Sequence, residues 1–196
     1  MRYVDIDGVA PLWELYNFDL PNCAWEPEGV ALQENGTPVD PYRINMKKPY
    51  SEKFNEIWNK HTDEIVNYIT TCELPEVIDE MWKVYIKNFH IGHGGMVVIN
   101  DRKGFDMGWH ADNRAILGVI LVNLKDNING TEFFANPIKG TPDHKIYTAP
   151  TQKGSGWFML NNNQLHRIRS NANRMIGFQN LHVQTLGPPR TMWEKA

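Results

Sequence analysis

The sequence predicts a mainly β fold, an all-β sandwich or roll preceded by helices. Three observations carry this prediction. Beyond Gly95 the chain breaks into short apolar runs separated by Gly, Asn, Asp and Pro, the pattern of strands joined by tight turns. Before that point one long stretch repeats its apolar residues at intervals of three and four, which is the period of a helix. The length of 196 residues, 41 % of them hydrophobic, suits a single domain with one substantial core.

Residues 1–50, as in "NCAWEPEGVALQENGTPVDPYRIN", read as short extended pieces joined by turns. From Ser51 the apolar stripe runs through Phe54, Trp58, His61, Ile65, Tyr68 and Ile69, and predicts a helix over 51–71. Pro75 suits a first helical turn. Val77, Ile78, Met81, Trp82 and Tyr85 then carry a second helix to the region of Asn88, although "WKVYIKNFHI" also alternates as a strand does. Eight strands follow, at 96–100, 107–112, 115–124, 131–135, 144–149, 156–160, 165–169 and 174–183. The turns between them, such as "NDRKG", "KDNING" and "NNNQ", are dense in residues that tolerate tight backbone geometry.

Composition excludes several classes of function. Twenty basic residues against 23 acidic ones leave a net charge of −3, so there is no basic field of the kind that holds nucleic acid. The opening residues carry acids within every apolar stretch and no run approaches membrane-spanning length. Cys23 and Cys72 lack the spacing of a disulfide framework or zinc knuckle. The expectation is a cytoplasmic protein with no membrane partner.

The motif that carries chemistry is His110-x-Asp112 in "GWHADNRAIL". The pair alone identifies nothing, because "KHTDEIV" holds a second one, His61-x-Asp63. Secondary structure separates them. On a helix, residues two apart point about 200° apart and cannot grip one ion. On a strand they share a face, with backbones about 7 Å apart, and can converge. His61 is therefore read as helix packing, and His110 with Asp112 as candidate ligands.

A third ligand must come from elsewhere. His166 follows "GSGWFMLNNNQL", a strand, a polar turn and a second strand, which can carry it opposite His110. His90 and His93 read as packing or surface residues, and His144 and His182 have no carboxylate on the same face. Two histidines and one carboxylate leave coordination positions open, which suits non-haem Fe(II) rather than a closed structural zinc site.

From about Met96 to Val183, a little under half the chain, the sequence resembles the Fe(II)/2-oxoglutarate-dependent dioxygenase family. The resemblance rests on His110-x-Asp112, then "NGTEFFANP", then "KGSGWFMLNNNQLH" ending at His166, then a basic residue beyond. It implies a double-stranded β-helix, a cupin-like jelly roll, with the N-terminal helices packed on one sheet. It divides the single domain into an irregular and helical part over 1–90, a catalytic core over 91–186 and a tail over 187–196.

The resemblance also implies Fe(II) held by His110, Asp112 and His166, with O2 and 2-oxoglutarate as cosubstrates, the latter converted to succinate and CO2. A basic residue on the strand after the distal histidine would hold its far carboxylate. Strand alternation turns Arg167 and Arg169 outward when His166 faces in. Arg174, eight residues past His166 and so closer than is common in the family, faces inward together with Ile176, Phe178 and Asn180. The substrate implied is a peptide, a free amino acid or another small molecule. The alternatives are a nucleic-acid demethylase of the same class and a non-oxidative metal-binding jelly roll. Asn180 stands where those demethylases carry a second arginine.

Overall fold

The computed structural model describes residues 1–5, 11–32, 36–47, 51–71, 80–88, 90–112, 116–134, 145–160 and 164–184, the side chains of residues 81, 82, 85 and 184 excepted. The first 50 residues supply β1 (Arg2–Val4), β2 (Leu12–Leu15), β3 (Glu26–Val30) and β4 (Arg43–Lys47). Helices α1 (Glu52–Thr71) and α2 (Glu80–Asn88) follow, then β5 (His90–His93), β6 (Val97–Asp101), β7 (Asp106–His110) and β8 (Gly118–Asn123). The chain continues through β9 (Glu132–Phe134), β10 (Lys145–Thr148), β11 (Gly156–Leu160), β12 (His166–Arg169) and β13 (Arg174–Gln184). The start expected for the second helix at Pro75 lies outside the described residues, as do Cys72, His144 and the tail.

The strands form two antiparallel sheets. The larger, of nine strands, runs β1-β2-β11-β8-β13-β6-β4-β3, with β5 pairing beside it on β13. The smaller runs β10-β9-β12-β7. This is the mainly β jelly roll expected from the sequence, with one addition. The N-terminal pieces enlarge the main sheet, β2 pairing with β11 and β4 with β6.

The larger sheet is covered on both faces, which explains why β8 is a continuous buried apolar run rather than an alternating one. Ile120 and Val122 of β8, with Phe158 of β11, pack towards Phe54, Trp58, Ile65 and Ile69 of α1. Their neighbours Val119, Leu121, Trp157 and Met159 pack instead with Phe133 of the smaller sheet. Period-two alternation thus divides each central strand between two cores.

Helix α1 starts where Ser51 Oγ accepts the Phe54 N–H at 3.2 Å, an N-cap. It buries Phe54, Trp58, Thr62, Ile65 and Ile69, the i, i+4 stripe that the sequence announces. Its close approach to the sheet depends on Gly177, where a Cβ would stand 2.9 Å from the Trp58 ring. A buried amide fixes the contact. Gln179 Oε1 accepts from Trp58 Nε1 at 2.7 Å and from Thr62 Oγ1 at 2.8 Å, while its Nε2 donates to the Gly94 carbonyl at 2.6 Å. With both ends satisfied, this buried polar group anchors the helix without an unpaired atom.

The two sheets are also tied at one edge. Glu14 of β2 accepts from Tyr147 of β10, from Tyr16 at 2.6 Å and from Arg2 Nε at 2.8 Å. Burial pushes this carboxyl up, but the three donors outweigh it and hold it below the ordinary range. Among the described residues no helix is long and apolar enough to cross a membrane.

Candidate metal centre and anion pocket

His110 ends β7 and His166 begins β12, and the two are directly opposite in the antiparallel ladder. Their rings lie 4.2 Å apart between centroids. Asp112, two residues on, turns back beside them, and the ligand atoms of His110, Asp112 and His166 all lie within 4.8 Å of one another. The other His-x-Asp pair behaves as helical geometry requires. His61 stacks on Phe18 at 4.1 Å and meets Glu64 rather than Asp63. His93 Nδ1 accepts from Gln179 Nε2 at 2.9 Å, a packing role.

Three features fit the triad to a metal ion. His110 Nδ1 is 2.9 Å from the Gly108 carbonyl and His166 Nδ1 is 3.1 Å from the Gln164 carbonyl. A carbonyl only accepts, so each Nδ1 carries the proton and each Nε2 presents a lone pair, the tautomer a metal needs. Asp112 Oδ2 is shielded from solvent and has no hydrogen-bond partner among the described residues, which is costly unless a cation completes it. Its Oδ1 lies 3.8 Å from His166 Nε2, too far for a hydrogen bond. Burial is the main influence on His166 and pushes its pKa below the ordinary histidine value. Asp112 opposes that shift and His110 adds to it.

Beside the triad lies a cavity of about 220 Å³ between the sheets. Its floor includes Arg174, Ile176, Phe178 and Asn180, the four β13 residues that alternation turns inward. Arg174 is only 2 % exposed. Its Nη1 is 3.4 Å from Asp101 Oδ2, its Nη2 donates to Thr131 Oγ1 at 3.3 Å, and its Nε has no partner among the described residues. Burial lowers its pKa to about 10, with Asp101 opposing and Arg43 adding, so it stays a cation at neutral pH.

Thr131 and Arg43 line this pocket and Asp101 contacts Arg174 from behind it; none of the three was singled out by the sequence. The Thr131 hydroxyl accepts from both Arg174 and Trp157 Nε1, the latter at 3.1 Å. Both lone pairs are thereby used, and its proton is left to donate into the cavity that the residue lines. Asp101, the last residue of β6, is fully buried. An acid closing the apolar run "VVIN" was the available signal, but its partners lie far away in sequence.

Two arginines of β12 differ from each other. Arg169 is exposed and meets Asp106 at 3.0 Å on the surface, as alternation requires. Arg167 departs from the outward reading. It is half-buried, borders the cavity, donates to Glu132 at 2.7 Å and lies over the Phe134 ring. A register irregularity between His166 and Ile168, where β12 meets β7, accompanies this placement. The tryptophans differ too, since Trp157 is a buried wall of the cavity and Trp109 is 42 % exposed against Phe134.

No family model and no curated protein matches the chain. Solved structures do match. A prolyl hydroxylase from Trichoplax adhaerens, in complex with a hypoxia inducible factor oxygen degradation domain peptide fragment, superposes with a TM-score of 0.57 at 11 % identity. The match covers 79 % of this chain and 70 % of that one. A prolyl-4-hydroxylase from Pseudomonas putida superposes with a TM-score of 0.50 at 9 % identity, covering 74 % of each chain. At such identities the likeness is one of fold: the chain is a double-stranded β-helix of the kind these hydroxylases have.

Proposed function

We propose that the chain is an Fe(II)- and 2-oxoglutarate-dependent dioxygenase that hydroxylates an amino-acid side chain, within a peptide or free. The observation that carries this reading is the convergence of an open His110–Asp112–His166 set with a buried, incompletely partnered Arg174 on one cavity. The two superposing proteins named above are prolyl hydroxylases, and one is bound to a peptide. That supports the peptide reading of the substrate.

Each residue of the chain then has a task. His110 and His166 offer Nε2 lone pairs fixed in direction by their Nδ1 bonds, and Asp112 offers the charge its buried oxygen leaves uncompensated. Arg174 meets the far carboxylate of 2-oxoglutarate with a planar fork suited to two parallel bonds, and Thr131 adds a hydroxyl donor. Ile99, Leu121, Ile168 and Ile176 line the space between and keep water from it, which strengthens these charged contacts. Bound here, Fe(II) with 2-oxoglutarate and O2 supplies the oxidative chemistry that places oxygen in a C–H bond while succinate and CO2 are released.

The test is anaerobic loading with Fe(II), followed by O2- and 2-oxoglutarate-dependent succinate release and a mass-spectrometric screen of peptides and amino acids. The expected result is a gain of one oxygen atom in one substrate class. Iron binding with no 2-oxoglutarate-dependent succinate under any condition would leave a non-oxidative metal protein instead.

A further inference from the structure

The row Arg43, Asp101, Arg174 crosses three adjacent strands of the larger sheet. Asp101 of β6 is directly opposite Arg43 of β4 on one side and Arg174 of β13 on the other. Facing cross-strand side chains of this kind interact directly. The two contacts are unequal. Arg43 grips the carboxylate with two short bonds, Nε to Oδ1 at 2.7 Å and Nη2 to Oδ2 at 3.0 Å. Arg174 reaches it with one contact at 3.4 Å. The Arg43 guanidinium lies over the Phe105 ring, 4.2 Å from its centroid, a cation–π contact.

We infer that Arg43 is a positioning residue for the anionic end of the cosubstrate. By clamping Asp101, it keeps that carboxylate from pairing fully with Arg174 and leaves the Arg174 guanidinium open to a ligand carboxylate. The inference rests on the dioxygenase reading of the site and adds to it a residue from outside the strands that bear the ligands.

Two arginines and one carboxylate carry a net charge of +1 − 1 + 1 = +1 in a buried row, a match for an incoming carboxylate. With Arg43 absent, Asp101 and Arg174 would sum to zero. A lone buried carboxylate would draw Arg174 into a bidentate pair at about 2.7–2.9 Å, and its fork would be spent inside the protein. Arg43 therefore acts against a self-neutralised pocket. Its strand lies within the first fifty residues, which the sequence left without a role.

The test titrates 2-oxoglutarate calorimetrically into the Fe(II)-loaded protein without oxygen, with Fe(II) affinity and thermal unfolding measured in parallel. Arg43→Gln is expected to weaken 2-oxoglutarate by at least about ten-fold, the scale set by losing one member of a buried charge pair, with Fe(II) affinity unchanged. The double variant Arg43→Gln/Asp101→Asn leaves Arg174 as the row's single charge, restores +1, and should regain most of the loss. A purely structural role makes the double variant as weak as the single one or weaker, and that result overturns the inference, as does an Arg43→Gln protein that binds like the parent. If Arg43→Gln does not fold, the double variant, which leaves no buried charge unclamped, decides alone: near-parental affinity supports the inference and lost affinity overturns it. A parent that holds Fe(II) but never 2-oxoglutarate overturns the dioxygenase reading itself, and this inference with it.

Discussion

His166→Ala is expected to abolish Fe(II) binding and, with it, turnover. Loss of a partner that merely orients a ligand costs about 10–100-fold in metal affinity, so loss of a ligand should cost more than about a hundred-fold. His110 and Asp112 would remain, two donors on a chain segment whose third direction is empty. Anaerobic calorimetry with Fe(II) checks this, and a protein in which His166→Ala binds as the parent does while His90→Ala does not would sink the assignment.

Acid should act in the same direction, because the ligand must be neutral before it coordinates. Burial holds the folded-state pKa of His166 below the ordinary value near 6.5. Between that depressed value and about 6.5 the unfolded chain binds the extra proton, so the metal-free fold loses stability as pH falls through this window and is unaffected above it. Fe(II) binds the folded protein, so its affinity should hold until pH falls to that depressed value and decline only below it.

Asp112→Ala should separate stability from function. Its buried Oδ2 has no partner among the described residues, and an unsatisfied buried group of this kind costs about 1–3 kcal/mol. Removing the carboxylate should destroy iron binding yet raise the metal-free melting temperature by about 2–4 °C per kcal/mol recovered. A metal-free Asp112→Ala protein that melts lower than the parent would contradict this account of the site.

The second large effect concerns Arg174. Arg174→Ala removes a charge-assisted contact to the far carboxylate worth roughly 2–4 kcal/mol, or about thirty-fold to a thousand-fold in 2-oxoglutarate affinity. Fe(II) binding should stay near normal, since the residue is no part of the triad. Lysine at 174 should recover part of the loss, because a point charge cannot reproduce the fork. Arg169→Ala, on the surface with Asp106, should change little. The measurement is the 2-oxoglutarate dependence of succinate release across these variants, and an Arg169→Ala protein worse than Arg174→Ala would refute the placement.

The parts of this site that the sequence made legible depend on local periodicity. Strand reading singled out His110 and Asp112 as the pair that converges, although β7 ends at His110 and Asp112 lies just past it rather than on the expected strand over 107–112; His61 and Asp63 diverge because helices turn, and Arg174 faces inward with Ile176 and Phe178 because strands alternate. The parts that stayed hidden depend on which distant strands become neighbours. Arg43 and Asp101 are 58 residues apart and meet only because β4 adds to β6, a pairing that no local pattern encodes. Thr131 looked like any strand-leading threonine until Trp157 and Arg174 both reached it. Arg167 escaped the alternation rule beside an irregular stretch of strand pairing, where counting by twos is least dependable.

Strand β7 is the edge of the smaller sheet and is only partly buried along its length. Among the described residues its ladder runs to β12 alone, and the pair that opens this ladder is His110 with His166. An ion shared by those two side chains would fasten the edge strand to its neighbour across the 55 residues of intervening chain, 111–165, a closure that backbone bonds at a solvated edge secure poorly. Loading with metal would then protect the amides of β7 from solvent exchange. Metal loss would do more than silence the chemistry: it would let the edge fray and present unpaired backbone groups to a second molecule, so chelation and aggregation would share one cause.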